Sequence, residues 1–196
     1  MFRVLQLLFF RGSAWTSIAE ENRGVVAILL LTVAPLLALV CGVEGYSLTT
    51  SGINGVKEGP IAVFSKELVF RYELIEFAMG FVMVFGASFL IGWICLSFHF
   101  YPPYLPQFTI AAYGLSPVFA ARLLNCVPGM NIWMSWSFGI IGCVLILYQG
   151  IGMVLKPDQT KGLGLYMMAA LVFTLLSAMN HLVGLMILQG RISLPF

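Results

Sequence analysis

Apolar and polar stretches alternate along this chain in a pattern that predicts membrane-spanning helices joined by short connections. A spanning helix needs about 20 mostly apolar residues. Residues 25–43 meet that requirement without a charge and enclose Pro35. Residues 77–98, 132–155 and 165–188 are further apolar runs, the second of these with Trp133 and Trp136 at one end. Residues 108–127 form another, interrupted by Pro117 and followed by Pro128, so this third span is expected to be kinked or broken. The fold class predicted is all-α, a polytopic bundle of about five transmembrane helices.

The connections follow from composition. Glu44 to Gly59 is polar and glycine-rich and is predicted to be an extramembrane loop. Pro60 suits a first helical turn, and Ile61, Phe64, Leu68, Tyr72 and Ile75 recur at three- and four-residue spacing. They predict an amphipathic lead-in, continuous with the second span, that carries a Glu67–Arg71 pair one turn apart. The stretch Tyr101 to Pro106 holds three prolines and is predicted to be a stiff, non-helical turn with interfacial aromatics. Residues 1–24 form a separate N-terminal segment. Within it, Val4 to Phe10, closed by Arg11, is expected to lie in the membrane interface.

Composition agrees with lipid as the main solvent: 60% of the 196 residues are hydrophobic and 9% are charged. A soluble domain carries about 25% charged residues. The net charge of +2, without a cluster of Lys or Arg, gives no nucleic-acid partner. Cys41, Cys95, Cys126 and Cys143 lie in or beside apolar segments without metal or redox spacing, and are expected to be buried free thiols. Arg23, Lys156 and Lys161 sit at span ends and place the N-terminus in the cytoplasm.

Polar residues inside the apolar runs are the candidate sites. Arg122 and Asn125, three apart, share a face late in the third stretch. They are read either as an anion or headgroup site, or as an arginine that snorkels to the nearby interface, the reading favoured here. Thr174, Ser177, Asn180, His181 and Gly184 form a stripe on the fifth span. Ser135, Gly139, Gly142 and Gln149 form one on the fourth, and Glu73, Glu76, Gly80 and Ala87 one on the second. Such stripes serve close helix packing. The alternative is a hydrated path along Glu76, Asn180 and His181, or a cofactor held by His181. No phosphate loop, zinc-protease or serine-hydrolase motif is present, and His99 is the one other histidine. The sequence therefore predicts no enzyme, no metal and no cofactor.

The order of Trp15, Ile18, Glu21, Pro35, Tyr113-Gly114-Leu115-Ser116-Pro117, Leu124, Pro128, Tyr148-Gln149-Gly150 and Lys156-Pro157-Asp158-Gln159-Thr160-Lys161 resembles the Yip-domain family of small five-span membrane proteins, in its short prokaryotic form. The resemblance implies a Yip-like bundle over residues 25–196 in a bacterial inner membrane. It also implies a non-enzymatic organising or accessory role, with membrane lipids and other integral membrane proteins, or further copies of the chain, as partners. Eukaryotic members bind Rab-type GTPases. Only about two dozen residues precede the first span here, too few for a folded domain, so GTPase binding is not carried over.

Overall fold

A computed structural model of the chain describes residues 6–7, 11–21, 23–56, 61–127 and 129–192. Apart from two isolated backbone bridges, Ile53 with Ala62 and Asn54 with Asn131, the described regular structure is helical. α1 is Arg11–Glu21, α2 is Val25–Thr50 and α3 is Lys66–Ser97. α4 is Tyr104–Gly114 and α5 is Ser116–Ala121, which tightens into a 3-10 turn over Arg122–Cys126. α6 is Ile132–Leu155 and α7 is Gln159–Leu188. Four of these, α2, α3, α6 and α7, are long and apolar enough to cross a membrane. The protein is a multi-pass membrane protein of helical class. Large apolar side chains such as Leu30, Phe89, Trp93, Phe138, Leu171 and Met179 stand exposed on the outer faces of these helices, where lipid is the solvent.

Several predicted boundaries are corrected. α2 runs seven residues beyond Val43, because Cys41, Glu44, Ser47 and Leu48 continue its buried face at helical spacing. The polar loop therefore starts after Thr50, not at Glu44. α3 starts at Lys66, where the Ser65 hydroxyl accepts the backbone N–H of Leu68 at 3.3 Å, an N-cap. Ile61 to Ser65 precede it as extended chain, and Ala62 exchanges backbone hydrogen bonds with Ile53. The predicted helix start at Pro60 falls outside the described residues. α3 is thus about 48 Å long rather than the longer helix expected from Pro60. The turn after α3 is shorter than predicted. Pro103 is the N-cap of α4 and Pro106 lies in the first turn, where its missing N–H leaves no helical bond unmade. The interfacial assignment of Val4 to Phe10 falls almost wholly outside the described residues.

Both interior prolines are accommodated locally. Before Pro35, α2 widens into a π-turn over Leu29–Val33, in which the Ala34 N–H reaches back to the Leu29 carbonyl. Pro117 cannot donate to the carbonyl of Tyr113, four residues earlier. The Ser116 hydroxyl does so instead, at 2.6 Å, at the junction between α4 and α5. Residues from Phe108 to Phe119 are buried throughout, so this irregular backbone is shielded by protein on all sides.

Two ends of the bundle can be told apart. At one end α1 docks on α6: the Trp15 indole N–H donates to the Ile146 carbonyl at 3.1 Å. At the other end the start of α6 meets the loop after α2, the Ile132 N–H donating to the Asn54 carbonyl at 3.1 Å. Gln189, just past α7, donates to the Val56 carbonyl there at 2.9 Å. Gly55 in that loop has φ +87°, and a Cβ on it would lie 2.6 Å from the Asn131 carboxamide oxygen, so only glycine fits. The α4–α5 segment runs between these ends through the middle of the bundle.

Candidate functional site

Three helices and one turn bring acidic, basic and amide groups to a single buried place. α2 supplies Glu44 from its buried face. α3 supplies Glu73 and Glu76, which share a face because they are three residues apart. The 3-10 turn after α5 supplies Arg122 and Asn125. In a 3-10 helix residues three apart eclipse one another, so these two side chains leave the turn side by side. The Arg122 Nε donates to one Glu44 oxygen at 2.6 Å, and the Asn125 Nδ2 donates to the other at 2.7 Å. One turn thus occupies both oxygens of a carboxylate that has no solvent exposure.

The rest of the guanidinium serves α3. Arg122 Nη2 lies 2.6 Å from Glu44 Oε2 and 2.9 Å from Glu73 Oε2, and Nη1 lies 3.3 Å from Glu76 Oε2. The Tyr72 ring covers the cation, with its centroid 5.8 Å from the guanidinium carbon. α7 completes the array: Asn180 Nδ2 donates to Glu76 Oε2 at 2.8 Å. Gly184, one turn on, leaves room for that carboxylate, since a Cβ there would meet Glu76 Oε1 at 2.6 Å. A planar fork of five fixed donors suits this position, because one arginine holds carboxylates from two helices to a third segment.

Arg122 therefore does not snorkel, as the sequence suggested; its side chain is 15% exposed and turned inward. Its carboxylate partners belong to the protein itself. Asn125, Glu73, Glu76 and Asn180 join it as one network. His181 lies beside the network rather than in it. Its ring stacks on Trp136 at 5.5 Å and meets Trp133 edge-on at 4.8 Å, and its Nε2 has no hydrogen-bond partner. Sequence reasoning missed Glu44, which it placed in a loop. The available signal was the unbroken three-and-four spacing of Leu37, Val40, Cys41, Glu44 and Leu48.

A cavity of about 40 Å³ adjoins the network, lined among others by Glu44, Glu76, Arg122, Asn125, Ser135 and His181. Among the described residues no group of three His, Cys, Asp or Glu side chains is arranged to hold a metal ion. The small-residue stripes serve packing. A Cβ on Gly80 would overlap Leu37 at 2.6 Å, and one on Gly139 would stand 2.9 Å from the Val118 Cα. The four cysteines are free thiols.

The α3–α7 contact gives a first expected result. Asn180→Leu removes a donor from Glu76 and should lower stability by roughly 0.5–2 kcal/mol in detergent unfolding. His181→Leu, which breaks ring contacts and no hydrogen bond, should lose less. An unchanged or raised melting temperature for Asn180→Leu would show that the pair does not hold these helices together.

No protein-family model, curated protein or solved structure matches the chain.

Proposed function

We propose that this chain is a non-enzymatic integral membrane protein of the Yip-domain type, an organising or accessory subunit that works through helix–helix and lipid contacts. The observation that supports this most is the direction of its side chains. The ionisable and amide groups on the buried faces of α2, α3 and the 3-10 turn are joined to one another. The outward faces offer mainly large apolar residues. Such a molecule presents lipid and neighbouring helices with a surface suited to lateral association. Between α2 and α3 that surface is grooved, with Ala38 and Gly42 leaving space for close approach by another helix. The reading includes five crossings in a bacterial inner membrane, with the α4–α5 segment as the third, and a cytoplasmic N-terminus.

Two measurements test it. Reporter fusions should place the two termini on opposite sides; both on one side would remove the third crossing. Affinity purification in mild detergent, followed by mass spectrometry, should recover the chain with stoichiometric lipid, further copies or another integral membrane protein. Recovery of a bare monomer would count against association.

The cavity beside Glu76, Asn180 and His181 favours a second reading, a small channel or transporter using a polar path there. On the first reading, reconstituted protein conducts no ion or solute above empty liposomes. Flux abolished by Glu76→Ala or His181→Ala, in variants that still fold, would establish the second reading.

A further inference from the structure

The buried network holds more acid than base. Glu44, Glu73 and Glu76 converge on the one guanidinium of Arg122, with Glu44 and Glu73 both within 2.9 Å of the same nitrogen. All three ionised would leave two negative charges without a counter-charge at membrane depth, where an unpaired charge is least tolerated. The other groups facing the site do not supply the missing positive charge. They are Cys41 from α2, Tyr72 from α3, Cys126 from the 3-10 turn and, beside the cavity, His181 from α7, which is enclosed by two tryptophans.

The three carboxylates are not equally served. Glu44 accepts from Arg122 on one oxygen and from Asn125 on the other. Glu73 accepts from Arg122 on Oε2, and its Oε1 has no partner. Glu76 accepts from Asn180 at 2.8 Å on Oε2, which forms an ion pair with Arg122 Nη1 at 3.3 Å.

The second observation is the cavity. Asn125 and Ser135 line it, are 4% and 1% exposed, and leave Asn125 Oδ1 and Ser135 Oγ without a partner in the protein. Buried polar oxygens without protein partners point to water. About 10–15 Å³ of this kind of space holds one water, so a cavity of about 40 Å³ has room for a small cluster in reach of Glu44 and Glu76.

We propose that this cavity is a hydrated proton-binding site. The acids that converge on Arg122 hold at least one proton among them, drawn from and returned to water through Glu76 on the cavity wall, and the water held by Asn125 and Ser135 carries the exchange. The site goes beyond the associating role above and is compatible with either reading of it.

Infrared difference spectroscopy on the full chain in lipid nanodiscs tests the proposal. At neutral pH the wild type should show a protonated-carboxyl C=O stretch that shifts within minutes of transfer to deuterated water. Glu73→Gln combined with Glu76→Gln should abolish that band, because one acid then faces one guanidinium, whereas either single replacement should weaken or shift it. The band should be the same in sodium and sodium-free buffers. Three results would overturn the proposal: no such band at neutral pH, a band that appears only when sodium is withdrawn, or a band that does not exchange over hours. The solvent-isotope and sodium measurements need only the wild type, so they decide the matter even if a glutamine variant fails to fold.

Discussion

Arg122→Met should destabilise the bundle by about 3–5 kcal/mol, the loss expected when one partner of a buried ion network is removed and the other is left uncompensated. The size follows from what one side chain holds. Its guanidinium is the shared donor for Glu44 of α2 and for Glu73 and Glu76 of α3. Methionine keeps most of the volume and none of the donors, so the three acidic side chains lose their shared counter-charge in a buried place. Arg122→Lys keeps the charge but has a single nitrogen, and should fall between wild type and Arg122→Met. Pairing Arg122→Gln with Glu44→Gln removes a charge of each sign and should recover part of the loss. Chemical or thermal unfolding in one mild detergent measures all of these on a common scale. A loss below about 1 kcal/mol for Arg122→Met would place the network outside the forces that hold the helices together.

The same residues show how far the sequence could be read. Long apolar runs revealed α2, α3, α6 and α7, because lipid demands a length of apolar chain that few other environments do. Pro117 stands in the first turn of α5, at its junction with α4. The ends were harder. Glu44 and the residues after it look like a loop when polarity is taken as the signal. Yet α2 continues there because its buried face meets a charged partner instead of lipid. Pro103 and Pro106 look like helix breakers, yet they stand at a helix start, where proline is permitted.

The candidate site was legible in its members apart from Glu44, and not in its assembly. Glu73, Glu76, Arg122, Asn125 and Asn180 stood out as polar groups within apolar runs. Arg122 is 78 residues from Glu44 and 49 from Glu73. No local spacing records that these meet. Snorkelling was the reasonable expectation for an arginine close to a span end. It is overridden because the 3-10 turn points Arg122 and Asn125 together toward a carboxylate already buried on α2.

Trp15 supplies the other large expected effect. Its side chain is fully buried, stacked edge-on against Tyr113 of α4 at 6.3 Å and hydrogen-bonded to the Ile146 carbonyl of α6. Gly150 gives it room: a Cβ at that position would overlap the indole at 2.5 Å. Tyr113 in turn meets Thr32 of α2, with the two hydroxyls 3.3 Å apart. One indole therefore ties α1 to the buried middle segment and to a spanning helix. Trp15→Ala should lower stability by about 3–5 kcal/mol, the range for emptying a buried aromatic site. The loss comes mainly from forfeited packing contacts, because lipid gives little hydrophobic drive between helices. Trp15→Phe keeps part of that packing and loses the N–H, so it should lose distinctly less. Gly150→Leu should reproduce the alanine phenotype from the opposite side, by expelling the indole while leaving it in the chain. Limited proteolysis would localise the effect: cleavage within α1 should become rapid in Trp15→Ala and Gly150→Leu while the spanning helices stay resistant. If α1 stays protected and the melting temperature is unchanged, α1 is held by something other than Trp15, and its docking on α6 is a consequence of the fold rather than a support for it.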